Sequence, residues 1–313
     1  MDSDYATLSR LTTFLRTQAG VSDKLAITRA YAPAQELAGA IRVGDDCAAI
    51  PDNDGFLLFA GEGMLESFVE ADPWFAGYSA VMVNLSDIAA MGGRPLAIVD
   101  ILWTPQLEKG ATIWEGITAA SQAYGVPVVG GHTTVTQSGK IFLAAAILGR
   151  AQHLITSFDA RPGDELIIAI DLRGKYRGDK PFWNASVGAP VERLRGDLAL
   201  LATLAEKRWA RAGKDISNGG IIGTLAMLLQ CSKVGAELWL DRIPRPDGID
   251  LARWLISFPS FGFLFSVDPG QIANLTAAFA DRQIACGRVG TITGSGTFVL
   301  VYGAARETFP VTA

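Results

Sequence analysis

Between Asp72 and Pro95 the sequence admits essentially one element, a helix with both ends written into it. Asp72 is a good N-cap and Pro73 a good first helical residue. Gly92-Gly93 supplies the C-terminal stop, and Pro95 opposes continuation. Trp74, Tyr78, Val81, Leu85 and Ile88 recur at helical spacing and predict a buried stripe. Ala80, Asn84, Asp87 and Met91 fall on a different face, one turn apart. Solvated helix faces usually carry Lys, Glu or Arg, and this strip has none. An Asn and an Asp among small residues predict a surface that something approaches closely. Taken alone, the same two residues read more simply as partners for neighbouring backbone groups.

The 313 residues suggest about two domains, at ~150 residues each. No run of 18 or more apolar residues occurs, so no membrane span is expected. Met1-Asp2-Ser3-Asp4-Tyr5 has neither a basic nor an apolar leader segment, so no signal peptide is expected. The net charge of −5 and the lack of a Lys/Arg cluster argue against a nucleic-acid partner. Three widely spaced cysteines, Cys47, Cys231 and Cys286, support neither a disulfide framework nor a zinc site and fit a cytoplasmic setting. Two histidines, His132 and His153, rule out a multi-histidine metal site.

The pattern predicts a helix over 4–19, then a segment 21–43 interrupted by Pro33 and read as loop with a short strand or helix. A hairpin follows: strand Val43–Ile50 carrying Asp45 and Asp46, a turn at 51–55, and the apolar strand Phe56–Ala60 ending in Gly61-Glu62-Gly63. After the helix come strand Leu96–Trp103, a helix capped by Thr104-Pro105 and ended by Gly125, and a short strand Val126–Val129. The latter runs into a Gly130-Gly131-His132-Thr133-Thr134 turn, and Ser138-Gly139 turns the chain into strand Ile141–Leu148. Residues 150–163 read as the domain boundary and 171–190 as an exposed loop. Beyond strand Glu165–Ile170, a helix over 192–212 precedes Lys214-Asp215-Ile216-Ser217-Asn218-Gly219-Gly220, which opens helix Ile221–Gln230. Strands near 236–240, 261–267, 285–291 and 297–302, with helices at 249–257 and after Asp268-Pro269, complete a second α+β domain. The expected division is 1–155 and 156–313.

Gly44-Asp45-Asp46, Glu62, Asn84–Asp87, Gly130–Thr133 and Asp215–Gly220 all fall at element ends in this reading. Neither GxxxxGK[ST] nor GxGxxG is present. Carboxylates with few basic partners need a reason to gather, and Mg²⁺ supplies one: it takes oxygen ligands and is usually held by a few carboxylates plus substrate phosphates. Glycine pairs let backbone N–H groups approach phosphate oxygens.

These motifs resemble the superfamily of aminoimidazole ribonucleotide (AIR) synthetase, thiamine-monophosphate kinase, selenophosphate synthetase and the hydrogenase-maturation protein HypE. The N-terminal half is most similar to the kinases. Gly44-Asp45-Asp46-Cys47-Ala48 resembles their GDD-[AC]-A segment, and Asn84-Leu85-Ser86-Asp87-Ile88-Ala89-Ala90-Met91-Gly92 their NLSDIAAMG helix. Val128–Thr133 resembles the superfamily's GGD-T or GGH-S turn, Asp215–Gly220 its D-[IV]-[ST]-x-G turn, and Phe258–Val267 a late glycine-containing strand.

The resemblance implies a two-domain AIR synthase-like α+β fold, with mixed sheets and helices packed on one face. It also implies an ATP- and Mg²⁺-binding homodimer paired through the first domain, with the second domain completing the nucleotide cleft. Carried over by position, Asp46, Glu62, Asp87 and Asp215 would be metal ligands. Ser217, Gly130 and Gly131 would lie at the phosphates, Asn84 would contact the nucleotide or orient Asp87, and His132 is the catalytic candidate. The expected activity is ATP-dependent phosphoryl transfer to, or activation of, a small molecule. The alternative is a non-catalytic nucleotide-binding or complex-forming relative.

The departures bear on that choice. Glu62 and His132 stand where the kinases have Asp, and Asn218 replaces the second Asp of DxSDG. Phe68-Val69 stands where the kinases place a histidine for thiamine phosphate. The reactive Cys and Lys of selenophosphate synthetases and the C-terminal Cys of HypE have no counterpart.

Overall fold

The structure, a computed structural model, describes residues 2–137 and 139–310. Ser138, half of the expected Ser138-Gly139 turn, lies outside them. The elements run α1 (Asp2–Arg16), α2 (Ala19–Leu37), β1 (Ala48–Asp52), β2 (Gly55–Gly63), α3 (Glu66–Ala71), α4 (Pro73–Ala90), β3 (Arg94–Thr104), α5 (Leu107–Tyr124), β4 (Val128–Val135) and β5 (Phe142–Ala151). They continue β6 (Glu165–Ile170), β7 (Lys175–Tyr176), β8 (Phe182–Asn184), α6 (Val191–Glu206), β9 (Ala212–Asp215), α7 (Gly220–Ser232), β10 (Gly235–Trp239), α8 (Leu251–Leu255), β11 (Phe258–Pro259), β12 (Gly262–Val267), α9 (Ile272–Ala280), β13 (Ala285–Thr293), β14 (Phe298–Tyr302) and β15 (Ala305–Phe309). None of the described helices is long and apolar enough to cross a membrane.

Two compact units result, and they correct the expected cut at 155/156. The first comprises Met1–Asp46, Ile155–Gly188 and Lys207–Ala313; the second comprises Cys47–Leu154 and Ala189–Glu206. The N-terminal helices therefore belong with the C-terminal half, and α6 belongs with the N-terminal half. A contiguous division cannot represent this, because each unit draws on distant parts of the chain.

The first unit is built on a seven-stranded mixed sheet, β15-β14-β10-β13-β6-β12-β9. Only β10 and β14 pair in parallel within it. Its core joins Leu8 and Leu15 of α1, Val21 and Leu25 of α2, the apolar face of α7 and the sheet residues Leu166, Ile168, Leu264 and Leu300. Helix α2 continues through position 33, where a break was expected. Interior proline costs a helix about 3 kcal/mol. Here good helix formers flank it (Ala30, Ala32, Ala34), and the core anchors Val21 and Leu25 hold the helix's first turns. The segment 171–190 is not an exposed loop. Trp183 is buried in the core and donates from Nε1 to Asp171 O at 3.0 Å.

The second unit is a five-stranded sheet, β1-β2-β5-β3-β4. Strands β3 and β4 are parallel, with α5 as the crossover between them, and the remaining pairs are antiparallel. Helix α4 forms as its ends dictate: Asp72 accepts from Phe75 N at 3.2 Å and Pro73 opens the first turn. Every residue from Phe75 to Ala90 is buried, so the Asn84–Asp87 strip is not a solvated face. A helix apolar or small all round is a core helix. It packs on β2, β5 and β3 on one side and on α5 on another.

Glycines set the α4–α5 approach. A β-carbon on Gly116 would run into the Trp74 carbonyl, and one on Gly77 into the Ile113 carbonyl. The hairpin differs from expectation: Asp52 pairs with Gly55, leaving Asn53-Asp54 as the turn. Pro51 is tolerated inside β1 because β1 is an edge strand. Asp45 and Asp46 therefore precede the strand, in a bend, instead of lying in it.

Candidate functional site

In the first unit the bend after Gly44 sends Asp45 and Asp46 to different tasks. Gly44 has φ 112°, a backbone state that glycine reaches without strain. Asp45 is an anchor: its carboxylate accepts from Ser157 Oγ at 2.6 Å, Ser157 N at 2.9 Å and Asp46 N at 3.0 Å. Asp46 accepts from Lys214 Nζ through Oδ1, while its buried Oδ2 has no hydrogen-bond partner among the described residues. Strand β9 brings in Lys214 and Asp215, which are 2% and 3% exposed. Asp46 and Asp215 each turn a carboxylate oxygen to within 4.8 Å of the other.

Electrostatics follow from that crowding. Burial, then Asp46, push Asp45 up to about 6, against the pull of Lys214 and of the bonds from Ser157. Burial alone would lower Lys214, but Asp46, Asp45 and Asp215 outweigh it and hold the ammonium well above its usual range. Three carboxylates thus act on the Lys214 ammonium. An orphaned carboxylate oxygen in an all-oxygen set suits a hard cation such as Mg²⁺.

The Asp215–Gly220 turn lies next to this cluster in sequence. Gly219 and Gly220 adopt φ 85° and 61°, which lets the chain reverse directly into α7. Ser217 Oγ accepts from Lys24 Nζ at 2.6 Å. Asn218, the position of the missing Asp, donates nothing to the cluster; its Oδ1 accepts locally from Gly219 N at 3.1 Å. Lys24 and Lys214 escaped the sequence reading. Lys214 stood beside Asp215 in the quoted motif, but its partner lies 168 residues away in sequence.

In the second unit Asn84 is fully buried and donates from Nδ2 to Ala80 O at 2.7 Å and Ala145 O at 3.4 Å. Asp87, one turn on, is 6% exposed. Arg94, the obvious rival partner for Asp87, pairs with Glu206 at 2.5 Å. Met91 Sδ accepts from Cys47 N at 3.1 Å, fixing the start of β1 against the helix end.

Gly130–Thr134 form no turn: they lie within β4, an edge strand parallel to β3. Alternation along the strand splits the glycine pair between faces. Gly131 pairs with Asp100 on the helix-facing side, while Gly130 and His132 pair with Val99 and Ile101 on the opposite side. His132 is exposed, and its Nε2 lies 2.9 Å from Thr134 Oγ1 on that same side. Glu62 sits near the end of β2, exposed, paired with Ala145 of β5.

The sequence matches the family described as AIR synthase related protein, its N-terminal domain over residues 44–151 and its C-terminal domain over 184–303. The Synechocystis protein sll0787, itself uncharacterized, is 50% identical over 86% of this chain and 84% of its own length. Thiamine-monophosphate kinase of Pyrococcus horikoshii is 33% identical over 76% of this chain and 81% of its own length. Thermotoga maritima PurL, solved in complex with ATP, superimposes with a TM-score of 0.74 at 19% identity, covering 85% of this chain and 45% of PurL. The chain belongs to the AIR synthase-related family, and its fold is the α+β fold of that family.

Proposed function

We propose that this protein is an ATP- and Mg²⁺-dependent phosphotransferase or phosphate-activating enzyme acting on a small molecule. The observation that carries the reading is the buried Asp46 Oδ2, without a hydrogen-bond partner among the described residues, with an Asp215 carboxylate oxygen within 4.8 Å of the Asp46 carboxylate. Relatives named as a kinase and as an ATP-bound PurL support it. Asp46, Glu62, Asp87 and Asp215 are the proposed metal ligands. Bound Mg²⁺ would neutralise charge on the transferring phosphoryl group. Ser217, whose Oγ accepts from Lys24 Nζ, would meet phosphate oxygens, and Lys24 adds a cation there. Gly130 and Gly131 contribute exposed backbone from an edge strand. Asn84, fixed by Ala80 and Ala145, orients Asp87's turn of the helix. His132 keeps the catalytic assignment, with Thr134 holding its ring.

The second reading, binding without turnover, is favoured by one observation: Asn218 spends its side chain on its own turn. ADP formation from ATP, with and without Mg²⁺, across a panel of small metabolites separates the two. The enzyme reading expects Mg²⁺-dependent ADP release with at least one of them. It expects none with thiamine monophosphate, given Phe68-Val69, His132 and Asn218. ATP bound but never converted would favour the second reading.

We also propose that two copies pair through the second unit. Strand β2 is hydrogen-bonded on both sides, so what it offers a second copy is a face and not a free edge. That face is apolar and open: Ile50, Phe59, Val99, Trp103, Phe142 and Leu148 are 37–52% exposed on the side away from α4. Contiguous apolar patches of this kind mark association surfaces. Light scattering should give twice the chain mass at micromolar concentration, and Trp103→Glu should halve it. A monomeric wild type would contradict the proposal.

A further inference from the structure

Lys214 takes no part in the proposed chemistry, although it is the only basic residue among the described ones that is buried, at 2% exposed. Burying an ammonium is costly unless a carboxylate meets it, and Asp46 does so through Oδ1. Both side chains of the pair are 5% exposed or less. Burial works against the charge on Lys214, but Asp46, Asp45 and Asp215 prevail over it and hold the ammonium well above its usual range. The lysine is thus a standing positive charge on a carboxylate proposed as a metal ligand.

Its place is fixed from both sides. Strand β9 holds Lys214 opposite Leu264 of β12. Gly213, just before it, donates from N to Thr156 O at 3.1 Å, and a β-carbon on Gly213 would press on Ile155 and Phe265. On the other side, Ser157 holds Asp45 through N and Oγ, and the same Oγ lies 3.4 Å from Gly213 O. The bend that carries Asp46 and the strand that carries Lys214 are therefore fastened to one residue. An exposed lysine could trade its carboxylate for water, but a buried one gives it up only at the cost of an unpaired charge.

Asp46 has two oxygens, and Lys214 uses one. The other, Oδ2, is buried without a partner among the described residues, and a carboxylate oxygen of Asp215 comes within 4.8 Å of the Asp46 carboxylate. A divalent cation entering at Oδ2 would share one carboxylate with the ammonium. Two positive centres on one carboxylate, out of water, repel each other strongly. A triphosphate arriving with the ion offsets that repulsion, because its oxygens supply negative charge and ligands together.

We infer that Lys214 is a tethered counter-ion for Asp46, which holds off a divalent cation in the nucleotide-free chain until a nucleotide brings one in. The inference rests on the nucleotide reading for what carries the ion, and all its residues lie in the first unit. A neutral residue at 214 would instead leave Asp46 free to keep a resident ion.

The test titrates Mn²⁺, as the probe, into the nucleotide-free full chain, with the free ion read by paramagnetic resonance. Wild type should show no Asp46-dependent Mn²⁺ site tighter than about millimolar. Lys214→Gln offers Asp46 an amide donor but no charge. It should bind one Mn²⁺ about tenfold or more tightly than wild type, and adding Asp46→Asn should abolish that gain. Lys214→Arg, which keeps the charge, should stay as weak as wild type. Mn²⁺ should also raise the melting temperature of Lys214→Gln and leave that of wild type unchanged. A lysine that only shaped the fold would give a less stable Lys214→Gln protein with no gain in Mn²⁺ affinity, and that result would overturn the inference. So would tight, Asp46-dependent Mn²⁺ binding by wild type. A Lys214→Gln chain that folds neither with nor without millimolar Mn²⁺ would overturn it too, since the divalent ion would then fail to replace the ammonium. ATP titrations separate the two readings. A Mn²⁺ site gained by Lys214→Gln in a chain that binds no ATP keeps the counter-ion and defeats the nucleotide reading. Mg²⁺-dependent ATP binding by wild type without that gain does the opposite.

Discussion

Gly116→Ala should destabilise the second unit by about 3 kcal/mol or more, beyond the usual 1–3 kcal/mol range of an overpacked core. The reason is what the new methyl group would meet. It would strike the Trp74 carbonyl and press on Tyr78 N at 2.8 Å, both backbone atoms of α4. A flexible side chain could swing aside, but a helix backbone moves only by shifting the whole helix. Gly77 makes the reciprocal approach to Ile113 of α5, so neither helix can retreat along its own axis without losing the other contact. Helix α4 is also pinned beneath by β2, β5 and β3. At 2–4 °C per kcal/mol, the melting temperature should drop by roughly 6–12 °C, or the variant should fail to accumulate as folded protein. Gly63→Ala is the control, because a β-carbon there meets nothing within 4 Å. Scanning calorimetry of the two variants reads the difference. A Gly116→Ala protein as stable as wild type would mean that α4 and α5 are not packed backbone to backbone.

How much of this was legible in the sequence depends on where each signal resides. Helix α4 could be read to the residue because its cap, first proline and terminal glycines are local devices. The units could not, because their interleaving depends on contacts between residues more than a hundred positions apart. Gly130-Gly131 punctuates a sequence like a turn, yet an edge strand tolerates glycine where its neighbour Asp100 needs the room. Asp45 and Asp46 looked like one acidic pair. The structure gives them separate work, Asp45 tied to Ser157 and Asp46 to Lys214. Charge partners are the least legible feature of all, since nothing local marked Lys24 for Ser217. Motif spacing named the candidate ligands, but only packing shows that Asp46 is the one in the first unit with a buried, unpaired oxygen.

The most direct test of the central claim is calorimetric titration of ATP, with and without Mg²⁺, into wild type and Asp87→Asn. Asp87 sits on a fully buried stretch of α4, one turn from Asn84, with Arg94 engaged by Glu206. If its role were structural, asparagine would be nearly neutral, since it keeps the size and still accepts hydrogen bonds. As a metal ligand it supplies a full negative charge that asparagine cannot. The expected result is Mg²⁺-dependent ATP binding by wild type and at least tenfold weaker binding by Asp87→Asn, on the order of 1.4 kcal/mol or more. The metal-free melting temperature should be equal or higher, because one carboxylate has been taken out of a buried site. No ATP heat from wild type at millimolar nucleotide, or unchanged Mg-ATP affinity in a folded Asp87→Asn protein, would contradict the account.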